Sequence, residues 1–147
     1  MGAGLIGTSI ALRLRECGWR VSISDLDSTN NAIANDLLRY PADDASELLI
    51  PTLVVIATPP NEVIPALKAE FKTNPNAVFI DVTSTKTKLQ LDVEEISGLK
   101  ERFIGTHPIA GREVGGPQSA RSDLFDSRAW IVTAGPDANQ GTIAQVE

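Results

Sequence analysis

Gly2-Ala3-Gly4-Leu5-Ile6-Gly7, near the beginning of this 147-residue chain, is the segment that most restricts its architecture. The glycines have the G-x-G-x-x-G spacing of a dinucleotide-binding loop. In such a loop the first glycine permits a tight turn, the second lets the backbone approach a pyrophosphate, and the third lets the following helix pack closely against a sheet. Glycine turns also precede helices of other kinds, so the interpretation depends on the residues that follow.

Those residues have the pattern that a dinucleotide site requires. Isoleucine and leucine recur at helical spacing and predict a helix over 5–17. Residues 20–24 alternate like a strand, and Asp25 stands at its end. A carboxylate there accepts hydrogen bonds from ribose hydroxyls and repels a 2′-phosphate, which favours NAD over the alternative cofactor NADP. Asp27 is a second candidate for this role, and a turn or helix cap is the alternative role for Asp25.

The remainder of the chain alternates between predicted strands and predicted helices. The further strands are expected at 53–57, 77–80, 102–105 and 129–133. The further helices are expected at 28–39 with Ser28 as cap, 43–49, 61–71, 88–96 and after Asp137. This alternation predicts an α/β fold, a Rossmann-like, doubly wound and mostly parallel sheet in a single domain over 1–147.

Both ends of the predicted domain lack an expected piece. A strand normally precedes the glycine loop, and only Met1 stands before Gly2. The last predicted helix is interrupted at Glu147. We therefore expect a dinucleotide-binding domain that is incomplete at its N-terminus, lacks its first strand and ends inside a helix.

The composition excludes several classes of partner. The formal net charge is −6 and the sequence has no basic run, which argues against binding to nucleic acid. No stretch approaches the roughly 20 apolar residues of a membrane span. The single cysteine, Cys17, excludes an internal disulfide and suits the cytoplasm. We expect no metal site.

Polar residues follow several of the predicted strands at the points where the strands end. They are Asp25, Thr58 followed by the apolar Pro59 and Pro60, Ser84 with Lys86, and His107. Ligands of open α/β sheets bind beyond the carboxyl ends of the strands, so these residues are expected to line the site. Serine is also a favoured helix cap, and a helix is predicted shortly after Ser84.

In order along the chain, these motifs resemble those of prephenate and arogenate dehydrogenases. The similar segments are Gly2-Ala3-Gly4-Leu5-Ile6-Gly7-Thr8-Ser9, Ala57-Thr58-Pro59-Pro60, Asp81-Val82-Thr83-Ser84-Thr85-Lys86 and Gly105-Thr106-His107-Pro108-Ile109-Ala110-Gly111-Arg112-Glu113. The resemblance implies an NAD(P)-dependent oxidoreductase of tyrosine biosynthesis. Its reaction is the oxidative decarboxylation of prephenate to 4-hydroxyphenylpyruvate, or of arogenate to tyrosine. The sequence leaves open which of the two is the substrate.

The resemblance also implies roles for individual residues. His107, the only histidine, would be the base that accepts the proton of the substrate hydroxyl, because an imidazole titrates near neutral pH. Ser84 would donate a hydrogen bond near that hydroxyl. Lys86 would orient the loop, attract phosphate or simply be solvated. Arg112 is a minor candidate for a carboxylate clamp and Glu113 for a gating residue. The expected cofactor-binding residues are Gly2, Gly4, Leu5, Ile6, Gly7, Asp25, Thr58, Pro59 and Pro60.

Members of the family carry a C-terminal helical domain that closes the substrate cleft and forms a homodimer. Without it, we expect the isolated chain to be inactive. One alternative is a non-catalytic nucleotide-binding module or a gene fragment. A second is a related β-hydroxyacid dehydrogenase, although those enzymes are expected to use a lysine base in a later helix.

Overall fold

The computed structural model describes residues 1–39, 50–138 and 140–146. The helix expected at 43–49 lies outside these residues. Within them, no helix has the length and apolar character needed to cross a membrane.

A four-stranded sheet forms the centre of the fold. Its strands are β1 (Leu53–Ile56), β2 (Val78–Asp81), β3 (Phe103–Pro108) and β4 (Trp130–Ala134), and they lie side by side in that order. The first three strands are parallel, and β4 is antiparallel to β3. The predicted α/β fold with a mostly parallel sheet is confirmed. The third strand is longer than expected and includes His107, because β4 pairs with it as far as Pro108.

Five α-helices accompany the sheet in the described residues. They are α1 (Leu5–Glu16), α2 (Ser28–Leu37), α3 (Val63–Thr73), α4 (Thr87–Glu94) and α5 (Gln140–Val146). A 3₁₀ turn, Pro60–Glu62, leads into α3. Pro65 is tolerated in the first turn of α3, where a backbone N–H has no partner within the helix.

The predicted cap of α2 was wrong by one residue. The Asp27 side chain, not Ser28, accepts a hydrogen bond from the Asn30 N–H at 2.8 Å. Ser28 is instead the first residue of the helix. Both residue types are favoured caps, so composition alone did not distinguish them.

The hydrophobic core lies between the parallel strands and the helices α3 and α4. Phe79 of β2 and Phe103 of β3 are almost completely buried. Phe71 of α3 packs edge-to-face on Phe79, with 5.8 Å between the ring centroids. Because strands and helices share this one cluster, it fixes the carboxyl ends of the strands relative to the helices that follow them.

Residues 20–24 do not form the strand that their alternation predicted. No strand precedes α1 in the described residues, and no described strand pairs with this segment. The Gly2 N–H donates to the Ser24 carbonyl at 2.8 Å, and the Asn35 side chain donates to the Ile23 carbonyl at 3.3 Å. Met1 hydrogen-bonds to the residue that follows β1, because its carbonyl accepts the Ala57 N–H at 2.8 Å. A groove of about 580 Å³ separates 20–24 from β1. A strand assignment requires a neighbouring strand, which alternation alone cannot supply.

The glycine loop is packed against the end of β1. Gly2 has a φ of +94°, and a Cβ there would lie 2.5 Å from the Ala57 carbonyl oxygen. A Cβ on Gly7 would lie 1.9 Å from the Gly2 carbonyl oxygen and 3.0 Å from the Ala57 Cβ. The tight turn and the close helix contact expected of these two glycines are therefore present.

Gly7→Ala is expected to destabilise the fold by about 1–3 kcal/mol, because the new methyl group overlaps backbone atoms that cannot move independently. Urea unfolding followed by circular dichroism measures the change. Gly111→Ala is the matched control, since its Cβ would meet no atom within 4 Å. Equal stability of the two variants would contradict the close packing.

Candidate functional site

The glycine loop presents the N-terminus of α1 without a side-chain cap. Gly4 is the N-cap residue, no side chain of the described residues hydrogen-bonds there, and the first turn contains no acidic residue. A Cβ on Gly4 would meet nothing within 4 Å. The space beside Gly4 and the N–H groups of the first turn suit an anion, because a helix N-terminus carries partial positive charge.

Asp25 lies against this loop. Its Oδ2 accepts the Ala3 N–H at 2.6 Å, and its Oδ1 accepts the Asp27 N–H at 2.8 Å. Each carboxylate oxygen has a further lone pair for a ligand hydroxyl. Asp27 is instead engaged in capping α2. Asp25 therefore combines the turn role and a position suited to a ribose, and it is the better placed of the two carboxylates.

Two buried hydroxyls lie close to the loop without partners. Thr8 Oγ1 in α1 and Thr58 Oγ1 after β1 make no hydrogen bond among the described residues. Buried hydroxyls are normally paired, so each unpaired one requires an explanation. Thr8 is completely buried within α1, whereas Thr58 is partly exposed at the end of β1, where a bound ligand would supply a partner. Pro59 and Pro60, which follow Thr58, are exposed.

A cleft of about 300 Å³ connects the end of β1 with the turn after β2. It is lined by Pro60, Asn61, Ile64, Thr83, Thr85, Lys88, Leu89 and Asp92. Pro60 of the expected nucleotide-lining turn and the two neighbours of Ser84, Thr83 and Thr85, thus face one cavity.

Ser84 is exposed and does not cap a helix. Helix α4 begins at Thr87, its N-cap is Lys86, and no side chain in the described ranges caps that end. The alternative role of Ser84 as a cap is therefore wrong. Its hydroxyl is left at the surface of the turn between β2 and α4.

His107 lies on β3, half-buried, opposite Ile131 of β4. Its Nδ1 is 3.5 Å from the Val82 carbonyl oxygen, which belongs to the segment leading to Ser84. A proton on Nδ1 can point at this carbonyl, which leaves Nε2 with the lone pair that a general base needs. The structure thus brings the segments of the two predicted catalytic residues side by side.

Sequence reasoning missed a buried polar cluster beneath these residues. Asp81, at the end of β2, is completely buried, and Lys86 Nζ lies 2.5 Å from its Oδ2. Burial lowers the pKa of Lys86, although the hydrogen bond to Asp81 acts in the opposite direction. Breaking a buried ion pair costs on the order of 3–5 kcal/mol. The available signal was a lone aspartate completing an apolar, fully buried strand.

The segment after β3 carries the two minor candidates. Arg112 and Glu113 are exposed, and Arg112 Nη1 donates to the Ser119 carbonyl at 2.9 Å. The Arg121 N–H donates to Ser9 Oγ of α1 at 3.0 Å, so this segment folds back onto the glycine helix. Within the part of the chain that the structure describes, no contact places either candidate beside His107, and their substrate roles stay predictions.

No group of three or more histidine, cysteine, aspartate or glutamate side chains that could hold a metal ion occurs in residues 1–39, 50–138 and 140–146.

Comparison with known proteins adds a family-level result. The family model described as "Prephenate dehydrogenase, nucleotide-binding domain" matches residues 10–147. The probable prephenate dehydrogenase NovF of Streptomyces niveus is 31% identical over 140 residues, which are 94% of this chain and 38% of that protein.

Two solved structures are similar over 99% of this chain. One is prephenate dehydrogenase from Aquifex aeolicus in complex with hydroxyphenyl propionate and NAD⁺, with a TM-score of 0.81, 27% identity and 52% of that chain covered. The other is Synechocystis arogenate dehydrogenase, with a TM-score of 0.73, 27% identity and 52% covered. The chain thus spans about half the length of these two structures and 38% of the length of the Streptomyces niveus protein.

Proposed function

Because this chain belongs to the prephenate dehydrogenase family through its nucleotide-binding domain, we propose that it binds NAD⁺ for the oxidative decarboxylation of prephenate or arogenate. The observation that carries the proposal is the uncapped N-terminus of α1 with open space at Gly4 and the Asp25 carboxylate beside it. These are the two features that a pyrophosphate and an adenosine ribose require.

The nucleotide would extend from α1 toward the ends of β1 and β2. Gly2, Leu5, Ile6 and Gly7 form the phosphate end, and Thr58, Pro59 and Pro60 form the nicotinamide end. The unpaired Thr58 hydroxyl supports this direction, because a ligand there would supply its partner. When bound, NAD⁺ supplies the hydride acceptor. Asp25 favours NAD⁺, and NADP⁺ is the alternative.

His107 and Ser84 would act on the substrate hydroxyl. Nε2 of His107 would accept the proton of this hydroxyl as hydride leaves the ring carbon that bears the hydroxyl. The Ser84 side chain would donate a hydrogen bond that orients the substrate hydroxyl. Loss of carbon dioxide then makes the ring aromatic. Arg112 and Glu113 remain minor candidates for contacts with the substrate carboxylates.

The family resemblance also supports a place in tyrosine biosynthesis and homodimerisation. The cytoplasm is the compartment that we propose, since the single cysteine, Cys17, is free and exposed. We further propose that residues 1–147 act as one dinucleotide-binding domain, which the shared sheet and core support.

Titration of the chain with NAD⁺ by isothermal calorimetry tests the nucleotide site, and saturable binding is expected. Gly4→Ala is expected to weaken NAD⁺ binding by about tenfold or more, because a methyl group fills the space beside the pyrophosphate. Its thermal unfolding is expected to change little, since the new Cβ meets no protein atom within 4 Å. Unchanged affinity would place the pyrophosphate elsewhere.

Asp25→Asn is expected to reduce the preference for NAD⁺ over NADP⁺ by about tenfold, because it removes the charge that repels a 2′-phosphate. The ratio of the two dissociation constants is the measurement, since general loosening of the loop would weaken both. Asp27→Asn removes the same charge two residues away and retains a favoured cap. A larger change in the ratio for Asp27→Asn would reverse the assignment.

His107→Asn tests the reaction. Residues 1–147 are joined to the part of the Aquifex aeolicus enzyme that this chain does not cover, and NADH formation is followed at 340 nm with prephenate and with arogenate. We expect kcat to fall by about 10²–10⁴-fold, the usual contribution of a general base. NAD⁺ affinity is the internal control and is expected to stay the same. Full turnover by His107→Asn would exclude His107 as the base.

A further inference from the structure

The Asp81 carboxylate divides its two oxygens between two segments of the site. Oδ2 accepts the Thr83 N–H at 2.9 Å, the Thr83 hydroxyl and the Lys86 ammonium. Oδ1 faces the other way and accepts the Thr106 N–H at 3.3 Å. One oxygen therefore holds the turn that carries Ser84, and the other holds the strand residue next to His107.

The backbone of Asp81 strengthens the link to β3. Its carbonyl oxygen accepts the Thr106 hydroxyl at 2.6 Å, and Thr106 is completely buried. The next carbonyl along the chain, that of Val82, is the one that His107 Nδ1 approaches. The direction of the imidazole thus depends on where residues 81 and 82 lie relative to residues 106 and 107.

Lys86 reaches Asp81 across the surface of β3. A Cβ on Gly105 would lie 3.3 Å from Lys86 Cδ and 3.7 Å from Asp81 Oδ1, so the absence of a side chain at Gly105 makes room for the lysine stem. The Lys86 side chain is only 21% exposed, and its ammonium is directed at the carboxylate. This arrangement leaves Lys86 poorly placed to bind a ligand phosphate in solvent.

We propose that Asp81 is the positioning residue that fixes Ser84 and His107 relative to each other, with Lys86 as its counter-ion. The inference rests on the proposed function and extends it. It explains how two reacting side chains from separate segments are held in a fixed position relative to each other. Asp81 itself is completely buried beneath them, so its carboxylate has no exposed surface for a substrate to contact.

Asparagine is the informative replacement at this position. Its side chain keeps one acceptor oxygen and replaces the other with an amino group, so it can hold the turn or the strand but not both. Asp81→Asn also leaves Lys86 without its partner and is expected to unfold at a lower urea concentration. The double variant Asp81→Asn/Lys86→Met removes both charges and is expected to recover most of that stability.

NMR of the 147-residue chain separates positioning from stability. His107 is the only histidine, so its imidazole Cε1–H signal is unambiguous, and the Ser84, Thr83 and Thr106 amides report the two links. In the double variant we expect a shifted His107 signal and at least tenfold faster hydrogen exchange of either the Thr83 or the Thr106 amide. Lys86→Met alone keeps both acceptor oxygens of Asp81, so the Thr83 and Thr106 amides are expected to stay as protected as the core amide of Phe79, although loss of the counter-ion lowers the global stability. Asp126→Asn, at an exposed carboxylate paired with Arg13, is the charge control.

The proposal would be overturned if the double variant kept native stability and native signals for His107, Ser84, Thr83 and Thr106. Asp81 would then have no role beyond its ion pair with Lys86. The proposal would also be overturned if the Asp126→Asn control shifted the His107 signal as much as the double variant does. These measurements need no nucleotide, so failure of NAD⁺ to bind would contradict the proposed function alone.

Discussion

The contact between the glycine loop and the end of β1 is the constraint on which the rest of the structure depends. Gly7 approaches the Gly2 carbonyl and Ala57 so closely that only glycine fits. This contact fixes where α1 begins and directs its N-terminus toward the carboxyl edge of the sheet. The core formed by Phe71, Phe79 and Phe103 then holds β2 and β3 in register beside β1. The candidate site is the place where these local requirements meet.

Much of the fold followed from the sequence because its signals are local. A continuous apolar run predicts a buried parallel strand, and β1 and β2 formed where such runs stand. The strand predicted at 20–24 is absent because a strand needs a neighbouring strand, and no described strand pairs with this segment. His107 was expected beyond its strand and lies within it, because the pairing with β4 extends to Pro108. Pairing across the sheet is a property of the tertiary structure.

The site shows the same division between local and tertiary information. The glycine turn and the position of Asp25 were predictable, because spacing along one short loop–helix–loop segment determines them. The cap of α2 and the role of Ser84 depended on which residue begins a helix, a boundary that spacing leaves uncertain by a residue or more. Asp81 was overlooked as a site residue because its partners stand at 83, 86 and 106. Only folding brings these partners around one carboxylate.

The arrangement around Asp81 has a consequence for how such sequences diverge. Gly105 makes room for the Lys86 stem, Lys86 neutralises Asp81, and Asp81 holds Thr106. A replacement at any one of these positions changes what the other three can accept. In relatives of this chain, a replacement at one of the four positions is therefore expected together with replacements at the others. The residues near His107 are then constrained by the packing beneath the imidazole as well as by the chemistry of the site.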